Sequence, residues 1–234
     1  MTTSAKTVLI TGAAGNLGRA IAAAFEARGA NLVLIGRTKE SLAAALGAES
    51  DRRLFATADL LDQAALDSAV RLARSRFGRV DVLCNIAGGF RMGSPVHETS
   101  DADWDFLMDI NARTLLHAVR AVVPQMIEAG GGKIVNVGAF AGQKGVAQMG
   151  AYVAAKSAVV RLTETMAAEL RDRNINVNCV LPTTIDTPEN RAAMPKADPS
   201  RWVAPADLAN VIVFLASDEA RAIHGAALPV TGLS

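Results

Sequence analysis

Short, nearly all-apolar runs alternate along this chain with longer amphipathic ones, and that alternation admits few architectures. The apolar runs are Thr7–Thr11, Asn31–Ile35, Arg53–Thr57, Val80–Ile86, Lys133–Val137, Ile175–Leu181 and Ala226–Val230. Between them lie helical patterns such as Leu17–Arg28, Gln63–Arg76, Ala102–Glu128, Gly150–Arg171 and Pro205–Ala216. Strands with no polar face are buried on both sides, and helical crossovers make neighbouring strands parallel. The expectation is an α/β fold: one doubly wound, seven-stranded parallel sheet with helices on both faces, residues 1–234 forming a single domain. At 234 residues the chain is long enough to bury such a core. Its ligand crevice then lies at the carboxyl ends of the strands.

One stretch interrupts the alternation. Roughly residues 183–202, following the sixth run, carry Pro188, Pro195 and Pro199. An insertion of this length at a strand's carboxyl end reads as a lid over a substrate site; the plainer reading is a surface connection.

The first connection is the most specific. Thr11-Gly-Ala-Ala-Gly-Asn-Leu-Gly18 follows the first strand and opens a helix. Gly12, Gly15 and Gly18 permit a tight turn and close approach of backbone to a pyrophosphate, and the helix start, with Asn16 and Leu17, offers free N–H groups and positive dipole. This is the nucleotide loop of a Rossmann fold. The second strand ends in Leu34-Ile-Gly-Arg-Thr-Lys39. A site selective for NAD usually carries an acidic side chain there for the ribose hydroxyls. Gly36 has none, whereas Arg37, helped by Thr38 or Lys39, suits a 2′-phosphate. NADP(H) is therefore favoured, with NAD(H) left open; the alternative is that Arg37 and Lys39 form an ordinary solvated turn.

Tyr152 and Lys156 stand four residues apart in a helical pattern, which places a phenol and an ammonium on one face. The ammonium is expected to favour ionisation of the phenol. Behind a nucleotide loop, the pair points to proton transfer coupled to hydride transfer.

In this order the motifs resemble the short-chain dehydrogenase/reductase family over essentially the whole chain. The resemblance rests on the loop at 12–18, Asp59, Asn85-Ile-Ala-Gly88, Asn111, Tyr152 with Lys156, Pro182 and Thr187. It implies that Tyr152 exchanges the proton, that Lys156 lowers its pKa and holds the nicotinamide ribose, and that Asn111 steadies a water-linked proton path. It further implies that Asp59 and Leu60 meet the adenine, and that Asn85, Ala87 and Gly88 line the cofactor. Pro182, Ile185 and Thr187 fall to its carboxamide and phosphates. Asp59 as a helix cap and Asn111 as a local backbone partner are the competing readings.

Three departures stand out. Asn16 occupies a usual glycine position, which Asn tolerates; Pro182-Thr183 replaces the usual Pro-Gly; and Ala139 stands where the family carries its catalytic serine. Losing such a donor to a developing oxyanion typically costs about 2.7–4 kcal/mol. A narrower resemblance addresses this. Val180–Arg191, Met194–Asp198 and Trp202 look like the same region of dihydropteridine reductases, which keep the tyrosine and lysine without the serine. Their quinonoid dihydropterin substrate needs no polarised ketone. Gly36-Arg37 departs from that subfamily, which usually favours NADH.

Composition narrows the remaining classes. A formal net charge of +1 and 4% aromatic residues give no case for nucleic acid or an anionic membrane. Met1 to Lys6 runs straight into Val8-Leu9-Ile10, too short for a signal-peptide core or a membrane span. Cys84 and Cys179 sit in apolar runs and read as free thiols, so a cytoplasmic location is expected. His97, His117 and His224 are too scattered to mark a metal site. The leading expectation is an NAD(P)H-dependent oxidoreductase of a small molecule, with a quinonoid dihydropterin as the sharpest substrate reading. The alternatives are a reductase of another conjugated or activated carbonyl, or a non-catalytic nucleotide-binding regulator. A homodimer or homotetramer is implied by resemblance, through the long helices at 102–128 and 150–171.

Overall fold

The computed structural model describes residues 5–234; residues 1–4, the start of the stretch considered above for a leader, lie outside the described residues. Seven parallel strands form one sheet: β1 (Thr7–Ile10), β2 (Asn31–Gly36), β3 (Arg53–Thr57), β4 (Val82–Asn85), β5 (Gly132–Val137), β6 (Ile175–Pro182) and β7 (Ala227–Val230). Their order is β3-β2-β1-β4-β5-β6-β7. The chain reverses its winding between β1 and β4, which opens a crevice at their carboxyl ends.

Successive side chains of a strand face opposite sides, and this sheet uses both. Val8 and Ile10 of β1 join one core with α1 (Asn16–Glu26), α2 (Lys39–Leu46) and α8 (Pro205–Leu215). Leu9 joins the other, with α3 (Gln63–Phe77), α5 (Thr114–Glu128) and α6 (Gly150–Leu170). Burial on both faces explains why the strands read as unbroken apolar runs.

Three local features depart from the sequence reading. Lys39–Leu46 is a helix that the periodicity did not announce: only Leu42 among its eight residues is buried, so it carries little amphipathic signal. Thr38 starts it by accepting from the Ser41 N–H. The long helix expected over 102–128 is instead α4 (Asp101–Met108), a π-helical turn at Asp109–Arg113, and then α5. The lid region holds a short helix, α7 (Pro188–Ala193), started by Thr187, and is tied down by a bridge between Ile185 and Val203.

Candidate active site

A cleft of about 1430 Å³ runs across the carboxyl ends of the strands. At its floor is the loop after β1. Gly12 has φ +64, and a Cβ there would lie 3.0 Å from the Ala87 Cα, so the loops after β1 and β4 meet backbone to backbone. Thr11 locks that meeting, its Oγ1 accepting from the N–H groups of Ile86 (3.0 Å) and Ala87 (3.2 Å). A Cβ on Gly18 would stand 2.4 Å from the Gly12 carbonyl, which lets α1 start against the loop. Gly15 caps α1 without a side-chain hydrogen bond, leaving its first N–H groups for a ligand. These residues fit a dinucleotide pyrophosphate.

The far end of the cleft is set by β2. The space beside Gly36 is filled by Leu42, whose carbons lie 2.9 Å from where a Cβ would be. The absence of an acidic side chain there is therefore also a packing fact. Arg37 and Ser41 line the cleft and Arg37 is exposed. Thr38 is occupied in capping α2, and Lys39 turns to Glu49 at 3.5 Å. Of the three side chains considered for a 2′-phosphate, Arg37 alone reaches the cleft. Asp59 and Leu60 also line it, and Asp59 does not cap α3; Asp62 does.

Tyr152 and Lys156 project from successive turns of α6 into the same cleft. Lys156 is 5% exposed, and its Nζ donates to the Val137 carbonyl at 3.0 Å. Burial pulls its pKa down to about 8. Burial also pushes the Tyr152 phenol up to about 12. This corrects the expectation that the ammonium would dominate the phenol: desolvation by burial does. Phe90 packs edge-on against the Tyr152 ring, centroids 5.0 Å apart. Ala139 lines the cleft, so its methyl stands among the reactive groups where a hydroxyl was missed in the sequence.

Of the site residues expected from sequence, Gly12, Gly15, Asn16, Leu17, Gly18, Arg37, Asp59, Leu60, Ala87, Gly88, Tyr152, Lys156, Pro182, Ile185 and Thr187 all line this cleft. Asn85 and Asn111 do not; both are buried behind the wall. Asn85 donates to Asn136 at 2.9 Å, and Asn136 donates to Thr163 of α6 at 2.9 Å, so Asn85 ties strand ends to the helix that carries Tyr152 and Lys156. Asn111 sits in the π-helical turn, donating to the carbonyls of Gly89 (2.9 Å) and Leu107 (3.0 Å) and accepting from the Gly89 N–H (3.1 Å). It clamps the loop after β4, combining the local backbone role with one that shapes the site. A Cβ on Gly88 would lie 2.9 Å from the Asn111 Oδ1 and 3.2 Å from the Lys156 Nζ, so all three crowd one spot.

Asn16 reaches the lid. Its amide donates to Glu189 of α7 at 2.7 Å, while Arg19 donates to its carbonyl oxygen at 2.6 Å. Asn190 lines the cleft, but Arg191 is turned away into a two-pronged ion pair with Asp186, at 2.6 and 2.8 Å. Sequence reasoning missed Thr11, Ser41 and the Asn16–Glu189 link. The polar residue ending β1 was the available signal for the first, whereas the others depend on contacts that spacing does not encode.

The family model for short chain dehydrogenases matches residues 6–198. The chain belongs to the short-chain dehydrogenase/reductase family. Its members are oxidoreductases, and so is this protein. D-threitol dehydrogenase of Mycolicibacterium smegmatis is 36% identical over 239 residues, covering 97% of this chain and 92% of that protein. Levodione reductase of Leifsonia aquatica is 32% identical over 248 residues, covering 97% and 93%. Among solved structures, carveol dehydrogenase from Mycobacterium avium in complex with NAD superposes with a TM-score of 0.89 at 31% identity, covering 98% of this chain and 97% of that one. These relatives are named for alcohols and ketones, not for a pterin, so the dihydropteridine resemblance gains no support from them.

Proposed function

We propose that this oxidoreductase is an NADP(H)-preferring reductase of small, electron-poor conjugated acceptors, with Tyr152 as proton donor. The observation that carries the reading is a half-buried Tyr152 one turn from the buried Lys156, in a cleft where Ala139 presents a methyl in place of a hydroxyl. The bound cofactor supplies hydride. Gly12, Gly15 and Gly18 with the start of α1 hold its pyrophosphate, Arg37 and Ser41 its 2′-phosphate, and Asp59 and Leu60 its adenine. Lys156 serves the nicotinamide ribose; Ala87, Gly88, Pro182, Ile185 and Thr187 flank the nicotinamide end.

The Tyr152 phenol, ordinarily protonated at neutral pH and pushed further up by burial, stands ready to donate to an oxygen or nitrogen that gains charge. With alanine at 139, that phenol has no partner side chain there to share a developing oxyanion. An acceptor that spreads the incoming charge over several atoms loses least by this. Quinonoid dihydropterin is one such acceptor. The names of the relatives favour a second reading, turnover of a plain alcohol or ketone.

An NADPH and NADH oxidation screen with quinones, quinonoid dihydropterin and simple ketones separates the readings. Conjugated acceptors are expected to turn over and simple ketones poorly; Ala139→Ser should raise ketone reduction. Efficient ketone reduction by the unaltered protein would sink the argument from Ala139, and no oxidation with any acceptor would favour a nucleotide-binding regulator. We further infer a homodimer or homotetramer, supported by Trp104 on α4 and Ile127 on α5, exposed apolar side chains that a partner helix would cover. Light scattering tests this. The two buried free thiols, Cys84 and Cys179, fit a reducing compartment such as the cytoplasm. No helix of the described residues is long and apolar enough to cross a membrane.

A further inference from the structure

Seven large apolar side chains line the cleft while remaining more than a third exposed: Leu61 stands on the loop after β3, and the other six are Phe90, Met92, Phe106, Phe140, Val146 and Met194. These six come from the connections after β4 and β5, from α4 and from the lid, the same elements that surround Tyr152. Exposed apolar surface gathered in a concave site marks a place for an apolar ligand. None of the six is among the residues assigned above to the cofactor, so this wall is left for the substrate.

Charge on that wall is sparse. Asp109 lines it but is paired with Arg113 at 2.5 Å. Lys156 is buried on the Val137 carbonyl. Lys144 remains: it is exposed, lines the cleft, and its ammonium has no hydrogen bond or ion pair among the described residues. It stands on the β5–α6 connection between Phe140 and Val146, and a lysine's apolar stem lets the charge reach along such a surface. No free carboxylate on this wall competes for it.

Resting on the reductase reading above, we propose that the substrate is an amphiphilic anion: a flat apolar acceptor held by this wall, carrying one carboxylate- or sulfonate-type group that pairs with Lys144. In turnover on a conjugated carbonyl, hydride adds to the carbonyl carbon as NADPH is oxidised to NADP+. The Tyr152 proton goes to the oxygen, and the product is the hydroxy acid salt with its anionic group unchanged.

Binding and turnover test this separately. In calorimetry on NADPH-saturated protein, 2-naphthalenesulfonate should bind more tightly than the neutral 2-naphthalenesulfonamide by about fivefold or more. Lys144→Gln should erase that preference, Lys144→Glu reverse it, and Lys144→Arg retain it. In turnover, the ratio of kcat/KM for isatin-5-sulfonate to that for isatin should fall in Lys144→Gln by a similar factor. Equal binding of the two naphthalenes, or a preference that survives Lys144→Gln, overturns the proposal. Sulfonate-selective binding that depends on Lys144, with neither isatin reduced, would support the anion subsite and sink the reductase reading instead.

Discussion

Lys156 shows how far one buried charge shapes this site. Its ordinary value of 10.5 is pulled to about 8 by desolvation, with one carbonyl to accept from it. Between those values the unfolded chain holds a proton that the folded chain gives up, so this residue's contribution to stability rises with pH across that window. Below pH 8 the full penalty, of order 3 kcal/mol, stands. Lys156→Met should therefore melt higher than the parent near pH 7, and the gap should close by pH 10; a gap independent of pH would mean the ammonium is not strained. Tyr152 shifts the other way, from 10 to about 12, so its effect lies above pH 10 and barely touches that window. If Tyr152 is the proton donor as proposed, replacing it by Phe should cut turnover by about 10²–10⁴-fold while leaving NADPH affinity nearly unchanged. Full activity in Tyr152→Phe would place the proton source elsewhere. The pairing of these two residues was legible from i, i+4 spacing. The direction of the phenol's shift was not, because spacing says nothing of depth: Tyr152 sits against Phe90, sixty-two positions earlier.

Among the elements, those that pack both faces of the sheet were readable, because their strands are continuous apolar runs and most of their helices bury one clear stripe. Those that shape the site were less so. The π-helical turn at Asp109–Arg113 exists to seat Asn111 against Gly89, a contact made across the cleft wall and invisible to a helical period. The α2 helix buries Leu42 alone, yet Leu42 is what denies Gly36 a side chain. The lid was expected from its prolines, but not its fastening. Asn16, which replaces a usual glycine, donates to Glu189 and so links the pyrophosphate loop to α7. Glu189→Ala should loosen the lid: limited proteolysis within 183–202 should quicken, and NADPH should dissociate faster in stopped flow. Unchanged proteolysis and release in that variant would show that the other fastenings, the Ile185–Val203 bridge and the Arg201–Leu233 contact among them, suffice to hold the lid.

At the scale of the whole molecule, the cofactor crevice joins the two halves of the sheet across the β1–β4 switch, and its walls come from loops carried by strands that both cores pack. A ligand bound there stabilises the entire domain, by about 2.7 kcal/mol at a concentration one hundred times its Kd. For a chain of this size that amounts to a rise in Tm of roughly 5–10 °C. On the proposed reading, the 2′-phosphate of NADPH would gain charge-assisted contacts at Arg37 that NADH lacks. At equal concentrations NADPH should therefore raise Tm more than NADH. Arg37→Asp should erase or invert the order, because a carboxylate repels the phosphate and offers an acceptor to the ribose hydroxyls. Both cofactors would still raise Tm in that variant, since the loop at Gly12–Gly18 and the start of α1 are untouched. A parent protein stabilised more by NADH would instead mean that Arg37 is a solvated turn residue.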